Sequence, residues 1–252
     1  MWYSEIVLKI ISWVSKDISE SRQDTIQALY EIINNDPYIS ESKTLLLIGK
    51  SLDNIANTNF RSILEGFLNK DIIIVHDIID AIKLTNPLIN LGFDPLTITY
   101  IVPSKHISMV NVSSNCREKC LEVEYLDILR ENEFFMIDSK ADLRAYYDFL
   151  SDVWIKKLKS KIKSCSNINV SNEVCIAGYS PIPKVMIKVA SNLGLNSESI
   201  KSLMSILKVN VEDPIVHAFK TLEQIVNKCK NVLFMFLSPY MDSGMIAFII
   251  KR

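Results

Sequence analysis

Apolar positions along the chain fall into two rhythms, and the clearest stretch is Thr44-Leu45-Leu46-Leu47-Ile48, stopped by Gly49. Four successive apolar residues closed by a glycine predict a strand buried on both faces. The spacing from Ser51 to Leu68 predicts a helix. The same alternation recurs. Strands are predicted at Asp71–Val75, Leu96–Val102, Glu133–Asp138 and Glu173–Ala177. Helices are predicted over Ile79–Leu91, Ser139–Ser164, Ile182–Asn192 and Ser197–Leu207, and from Asp213-Pro214 to about Lys230. Pro87 predicts a kink in the first of these, or its division into two short pieces. Val232–Leu237 and Met245–Ile250 flank a turn-rich run and predict a terminal hairpin. Residues 104–132 carry no decisive period. Ser113 to Asn115 read as a loop, and Cys120 to Leu129 fits either a strand or a short helix.

Ahead of the first strand the rhythm is helical. Trp2, Ile6, Val7, Ile10, Ile11, Trp13 and Val14 recur at i, i+3, i+4 spacing, and Ile26, Leu29, Tyr30, Ile32 and Ile33 do so again. Asp36-Pro37 closes the region. The pattern therefore predicts an N-terminal helical segment, residues 1–42, followed by one α/β domain, residues 43–252. The expected architecture is a Rossmann-like, mostly parallel sheet with helices on both faces and a C-terminal antiparallel hairpin. The two amphipathic helices of 1–42 would pack on that sheet, or would dock a protein partner or a second copy of the chain.

Composition narrows the function classes. The 252 residues are 48% hydrophobic and 23% charged, with a net charge of −1, so no global field draws nucleic acid or an anionic membrane. The lysines between Lys156 and Lys163 read as cations suited to a helix C-terminus. Met1 to Val14 is too short to span a bilayer and is broken by Glu5 and Lys9, so no membrane association is expected. The five cysteines are an odd set with no secretory signal, which predicts reduced thiols and a cytoplasmic protein. Cys116 and Cys120 are the one closely spaced pair, too few for a zinc site, and no metal is predicted. Only six glycines occur, well under the usual share of roughly 7%. Gly49-Lys50-Ser51 lacks the earlier glycine and the loop that a phosphate cradle needs.

Taken together, these elements resemble the class I S-adenosylmethionine-dependent methyltransferase fold, and most closely the small O-methyltransferases of the catechol and caffeoyl-CoA type. Three stretches carry the resemblance. Ile72 to Val102, with Leu91-Gly92, is similar to that family's second strand, helix and third strand. Phe134-Phe135-Met136-Ile137-Asp138-Ser139-Lys140, with Tyr146-Tyr147, is similar to its fourth-strand segment. Pro239-x-x-Asp242-x-Gly244 resembles its terminal hairpin. The resemblance implies a bound S-adenosylmethionine lying over Gly49 and Lys50. The acid at the end of the second strand, Asp77, would hold the ribose hydroxyls. Asp138 and Lys140 would act on a methyl acceptor approaching past the Gly178-Tyr179-Ser180-Pro181 turn.

Two departures from that family shape the expectation. Its glycine-rich cofactor loop is reduced here to Gly49 alone. The Asp-Asn pair after its fifth strand is replaced by Ala177-Gly178-Tyr179-Ser180. The functional expectation is thus a methyltransferase-like protein that binds this nucleoside cofactor. Its alternative is an inactive subunit of the same fold, kept as a scaffold or interaction partner. A degenerate ATPase-like domain is a third reading.

Overall fold

The strand at Thr44–Ile48 forms as its sequence predicts, with all five residues buried. The computed structural model describes residues 8–19, 24–48, 58–102, 105–116, 120–129, 156, 174–195, 213–237 and 244–251. The chain divides into two compact units, Met1–Glu122 and Val123–Arg252.

The described part of the first unit runs β1 (Leu8–Asp17), α1 (Thr25–Asn35), α2 (Pro37–Glu41), β2 (Thr44–Ile48), α3 (Thr58–Leu68), β3 (Asp71–Val75), α4 (Ile78–Asn90), β4 (Leu96–Val102) and β5 (His106–Ser113). Its strands lie in the order β3-β2-β4-β5-β1. β2 pairs in parallel with β3 on one edge and with β4 on the other. β5 then runs antiparallel to β4, and β1 antiparallel to β5. The α1 and α2 residues Leu29, Ile32, Ile33 and Ile39 pack with Leu45, Leu47, Ile72 and Met109 in one buried cluster.

β1 corrects the sequence reading, which places a helix there. A bulge between Ile10 and Ser12 leaves Ile11 without a counterpart on β5. The extra residue breaks the two-residue alternation and makes the apolar spacing imitate a helix. α1 and α2 are helical as expected. α4 is continuous through Pro87. The missing N–H falls in the last turn, where a proline forfeits one hydrogen bond without dividing the helix. His106 to Ser113, where the sequence shows no period, is a fully buried strand.

Polar side chains fix how these elements start. Asp36 caps α2, its Oδ1 accepting from the backbone N–H of Tyr38 at 2.9 Å and of Ile39 at 3.0 Å. At the other end of α2 the buried Lys70 donates from Nζ to the carbonyls of Ile39 (3.1 Å), Ser40 (3.0 Å) and Ser42. One ammonium thus satisfies the carbonyls that a helix C-terminus leaves open. Burial lowers the Lys70 pKa below the ordinary lysine value.

The described part of the second unit contains β6 (Leu121–Leu129, its first residues at the boundary), β7 (Val174–Tyr179), α5 (Pro183–Leu193), α6 (Pro214–Val226), β8 (Asn231–Leu237) and β9 (Gly244–Lys251). Its strand order is β6-β9-β8-β7. β7 and β8 are parallel, and β8 and β9 form the antiparallel hairpin read from the sequence. β6 settles the ambiguity at Cys120 to Leu129 in favour of a strand. The strand expected at 133–138, the helix expected at 139–164 (Lys156 apart) and the helix expected at 197–207 lie outside the described residues.

The coarse expectation therefore holds: this is a mixed α/β protein with helices and both parallel and antiparallel strand pairs. No helix among the described residues is long and apolar enough to cross a membrane.

Replacing Lys70 with Met keeps the apolar stem and removes the three carbonyl contacts. Lys70→Met is expected to lower the unfolding free energy by about 2–3 kcal/mol, read as a lower urea midpoint at unchanged slope.

Candidate functional site

At the C-terminal ends of parallel strands, helix N-termini and loops converge, and open α/β sheets place ligands there. In the second unit that region is the end of β7 and β8. Tyr179, the last residue of β7, has its ring 5.7 Å from the His217 imidazole in an edge-on arrangement. The Phe236 ring, near the end of β8, lies 6.0 Å from Tyr179. His217 is buried, one turn into α6. Asp213 caps that helix, accepting at Oδ1 from the N–H of Ile215 (2.9 Å) and of Val216 (3.0 Å).

Burial raises the Tyr179 pKa above the ordinary tyrosine value, and the Asp213 charge raises it further. Tyr179 is thus held as a neutral hydroxyl, a hydrogen-bond donor rather than a base.

The backbone beneath this cluster is tightly set. Gly178 adopts φ +124°, and a Cβ there would lie 1.8 Å from the Met235 carbonyl oxygen of β8, so only glycine fits. The buried Thr221 hydroxyl of α6 accepts from the Gly178 N–H at 2.9 Å and lies 2.8 Å from the Ala218 carbonyl. It ties the helix to the strand end. Beside this end, α5 and the turn before it line an open groove of about 790 Å³. Pro181, Pro183 and Ile187 give it apolar walls, and Lys184 and Lys188 give it positive charge.

The sequence-predicted residues fare unevenly. Gly49, Lys50, Asp138 and Lys140 lie outside the described residues. Asp77 does stand at the end of β3, where it caps α4: its Oδ1 accepts from the Asp80 N–H at 2.8 Å. Its Oδ2 is 3.7 Å from Nδ1 of the exposed His76. One ligand-capable atom each from His76, Asp77 and Asp80 lies within 4.8 Å of the others. The sequence reading names Tyr179, in the turn after its fifth predicted strand, and misses its contact with His217. Asp213-Pro214-x-x-His217 puts the histidine on the first turn of a helix capped by an acid, and says nothing of the strand end that it meets.

The cysteines also differ from expectation. Cys116 is bonded to Cys120, and Cys175 to Cys229. Reduced thiols were expected at all of these positions. Disulfides persist in oxidising compartments and inside hyperthermophiles.

No family model matches the sequence, and comparison with curated proteins returns no match. Solved structures do match. A point mutant of CsyB aligns at TM-score 0.58 and 8% identity, over 98% of this chain and 100% of that one. 3-Oxoacyl-(acyl carrier protein) synthase III, FabH, from Pseudomonas aeruginosa PAO1 aligns at TM-score 0.61 and 10% identity, over 97% and 98%. A second CsyB mutant, complexed with CoA-SH, aligns at 0.56 and 9%, over 97% and 100%.

Identity this low shows the fold alone, and it overturns the methyltransferase resemblance. The physical reason lies in the sheet. The resemblance rests on repeated βα units and a final hairpin. Those features survive here in a sheet whose first unit turns antiparallel at β5 and ends on the N-terminal strand β1. S-adenosylmethionine as cofactor, methyl transfer as activity and the inactive methyltransferase-fold subunit fall with it.

Two measurements test this region. Asp213→Asn keeps the helix cap and removes the charge, so the Tyr179 titration, followed by phenolate absorbance, shifts to lower pH. In the wild type a raised folded-state pKa means that stability is fully present below pH 10.0. It is lost as pH rises through the folded-state value, because the unfolded chain then binds fewer protons. For the cysteines, Cys229→Ala opens a crosslink between residues 54 apart. It is expected to cost about 4 kcal/mol on the loop-entropy scale, read in non-reducing denaturation curves.

Proposed function

We propose that this chain is an acyl-thioester-binding protein of thiolase-like fold. Its ligand class is an acyl group linked to coenzyme A or a carrier, and its reaction class is acyl transfer. The observation that carries the reading is the likeness, over nearly the whole chain, to an acyl-carrier-protein synthase and to CsyB, one form of which is complexed with CoA-SH.

Local chemistry supports it. A groove with apolar walls and two lysines suits a ligand with a phosphorylated head and an apolar tail. A neutral Tyr179 hydroxyl at the strand end suits donation to a thioester carbonyl as negative charge develops on its oxygen.

The cysteine pairing favours a second form of the same reading, binding without a covalent acyl-enzyme. Acyl transfer through a cysteine needs a free thiolate. All four described cysteines are paired, so none of them supplies one in the oxidised protein.

Calorimetric titration with coenzyme A and acetyl-CoA, together with intact-mass analysis of acid-quenched mixtures, separates these outcomes. Binding that weakens about tenfold or more in the Lys184→Glu, Lys188→Glu double variant supports the groove as the site. An acyl adduct on the protein selects transfer, and binding without an adduct selects the non-covalent form. No binding at about 1 mM ligand, a free energy weaker than about −4 kcal/mol, overturns the proposal.

A further inference from the structure

We propose that the polar cavity between β1, α2, β4 and β5 in the first unit is a binding site for a hard divalent cation of the Ca²⁺ class. The cavity holds about 100 Å³ and is independent of the groove on α5. Asp94, Asn111 and Glu41 line it, with no lysine, arginine or histidine among its described lining residues.

Asn111 is fully buried on β5. Its Nδ2 donates to the Tyr38 carbonyl of α2, which settles the amide orientation and leaves Oδ1 facing the other way. That oxygen is buried and meets no donor among the described residues. Asp94 repeats the arrangement. Its Oδ2 accepts from the Ser114 hydroxyl and from the Ser114 N–H at 3.3 Å. Its Oδ1 is buried and likewise meets no donor among the described residues.

Two buried acceptors without donors among the described residues, carried by side chains of residues that line one small cavity, are costly unless something positive or protic meets them. The strand geometry explains how they come together. The β4–β5 register sets Leu96 opposite Val112, which brings the residue two before Leu96 level with Ser114. On the other side of β5 the bulge at Ile11 opens β1 beside Asn111, and Ile11 lines the cavity.

The chemistry of the donor set selects the ligand. Carboxylate, amide and hydroxyl oxygens without nitrogen or sulfur suit a hard cation. Donors drawn from a strand, a loop and a helix end suit the irregular coordination of Ca²⁺ better than the strict octahedron of Mg²⁺. The competing occupant is water. At about 30 Å³ each, two or three molecules would fill the space.

The test uses the full chain after chelation, with CaCl₂, MgCl₂ and KCl added separately. At about a hundred times the dissociation constant, Ca²⁺ is expected to raise the unfolding midpoint by on the order of 5 °C. Mg²⁺ shifts it less, and K⁺ not at all. Asp94→Asn keeps the Ser114 contacts possible and is expected to lose most of the shift, with calorimetric affinity at least about tenfold weaker. Terbium provides a second measurement on the unmutated protein, because Tyr38 lines the cavity and sensitises a lanthanide bound there. That emission should fall as Ca²⁺ competes. Flat calorimetry with no midpoint shift at roughly 10 mM Ca²⁺, far above the range of most calcium sites, assigns the cavity to water and overturns the proposal. A full shift retained in Asp94→Asn overturns it as well.

Discussion

The first unit depends on a single constraint: β2 is hydrogen-bonded along both edges and buried on both faces. Its register runs Thr44 opposite Asp71 on one side and opposite Leu96 on the other, both in parallel. A parallel pair cannot be closed by a tight turn, so each return needs a crossover. α3 and α4 supply the returns from β2 to β3 and from β3 to β4. Because every backbone group of such a strand must be paired, its ends have to be held as firmly as its middle. Lys70, immediately before β3, reaches the carbonyls of Ile39, Ser40 and Ser42 just ahead of β2. One buried side chain therefore aligns the starts of two neighbouring strands and the end of a helix.

The second unit solves the same problem with a hydroxyl and a glycine. Thr221 bonds the Gly178 backbone, and Gly178 lets β7 lie against Met235 where no other residue would fit. The constraint reaches the candidate site. Tyr179 follows directly, so the constraint on Gly178 sets where the tyrosine ring stands against His217 and Phe236. The Cys175–Cys229 bond joins the start of β7 to the residue region just before β8. It crosslinks the two parallel strands at the end opposite Tyr179.

What could be read from the sequence follows from which forces are local. β2, β3, β4 and β8 are apolar runs bounded by polar residues, and α1, α4, α5 and α6 carry their own caps and periods. These elements were legible because each announces itself within a short window. β1 was misread because a bulge destroys the alternation that marks a strand, although Ile10, Ile11 and Val14 are the β-branched residues that strands favour. β5 was left unread because it is buried along its whole length while mixing His106, Ser108, Asn111 and Ser113 with apolar neighbours. One of them is anchored by a tertiary partner that no local window shows: His106 Nε2 meets Ser15 Oγ at 2.9 Å. The Tyr179–His217 contact and the Cys175–Cys229 bond join positions separated by 38 and 54 residues, so no local pattern records them.

The correction of fold family follows from the same distinction. Repeated βα units and a terminal hairpin are local features that several α/β folds share. Strand order and direction are global, and they separate those folds. A βαβ segment such as Ile72 to Val102 can therefore resemble a methyltransferase closely while belonging to a different sheet. Function obeys the same distinction. A shared fold transfers neither nucleophile nor ligand; those reside in side chains at particular positions. In this chain the four described cysteines are committed to disulfides, so none of them is a free thiolate. What remains at the strand ends is a protonated tyrosine, a buried histidine and a capping aspartate beside a lysine-bearing groove. That set is better equipped to hold and polarise a carbonyl than to attack one.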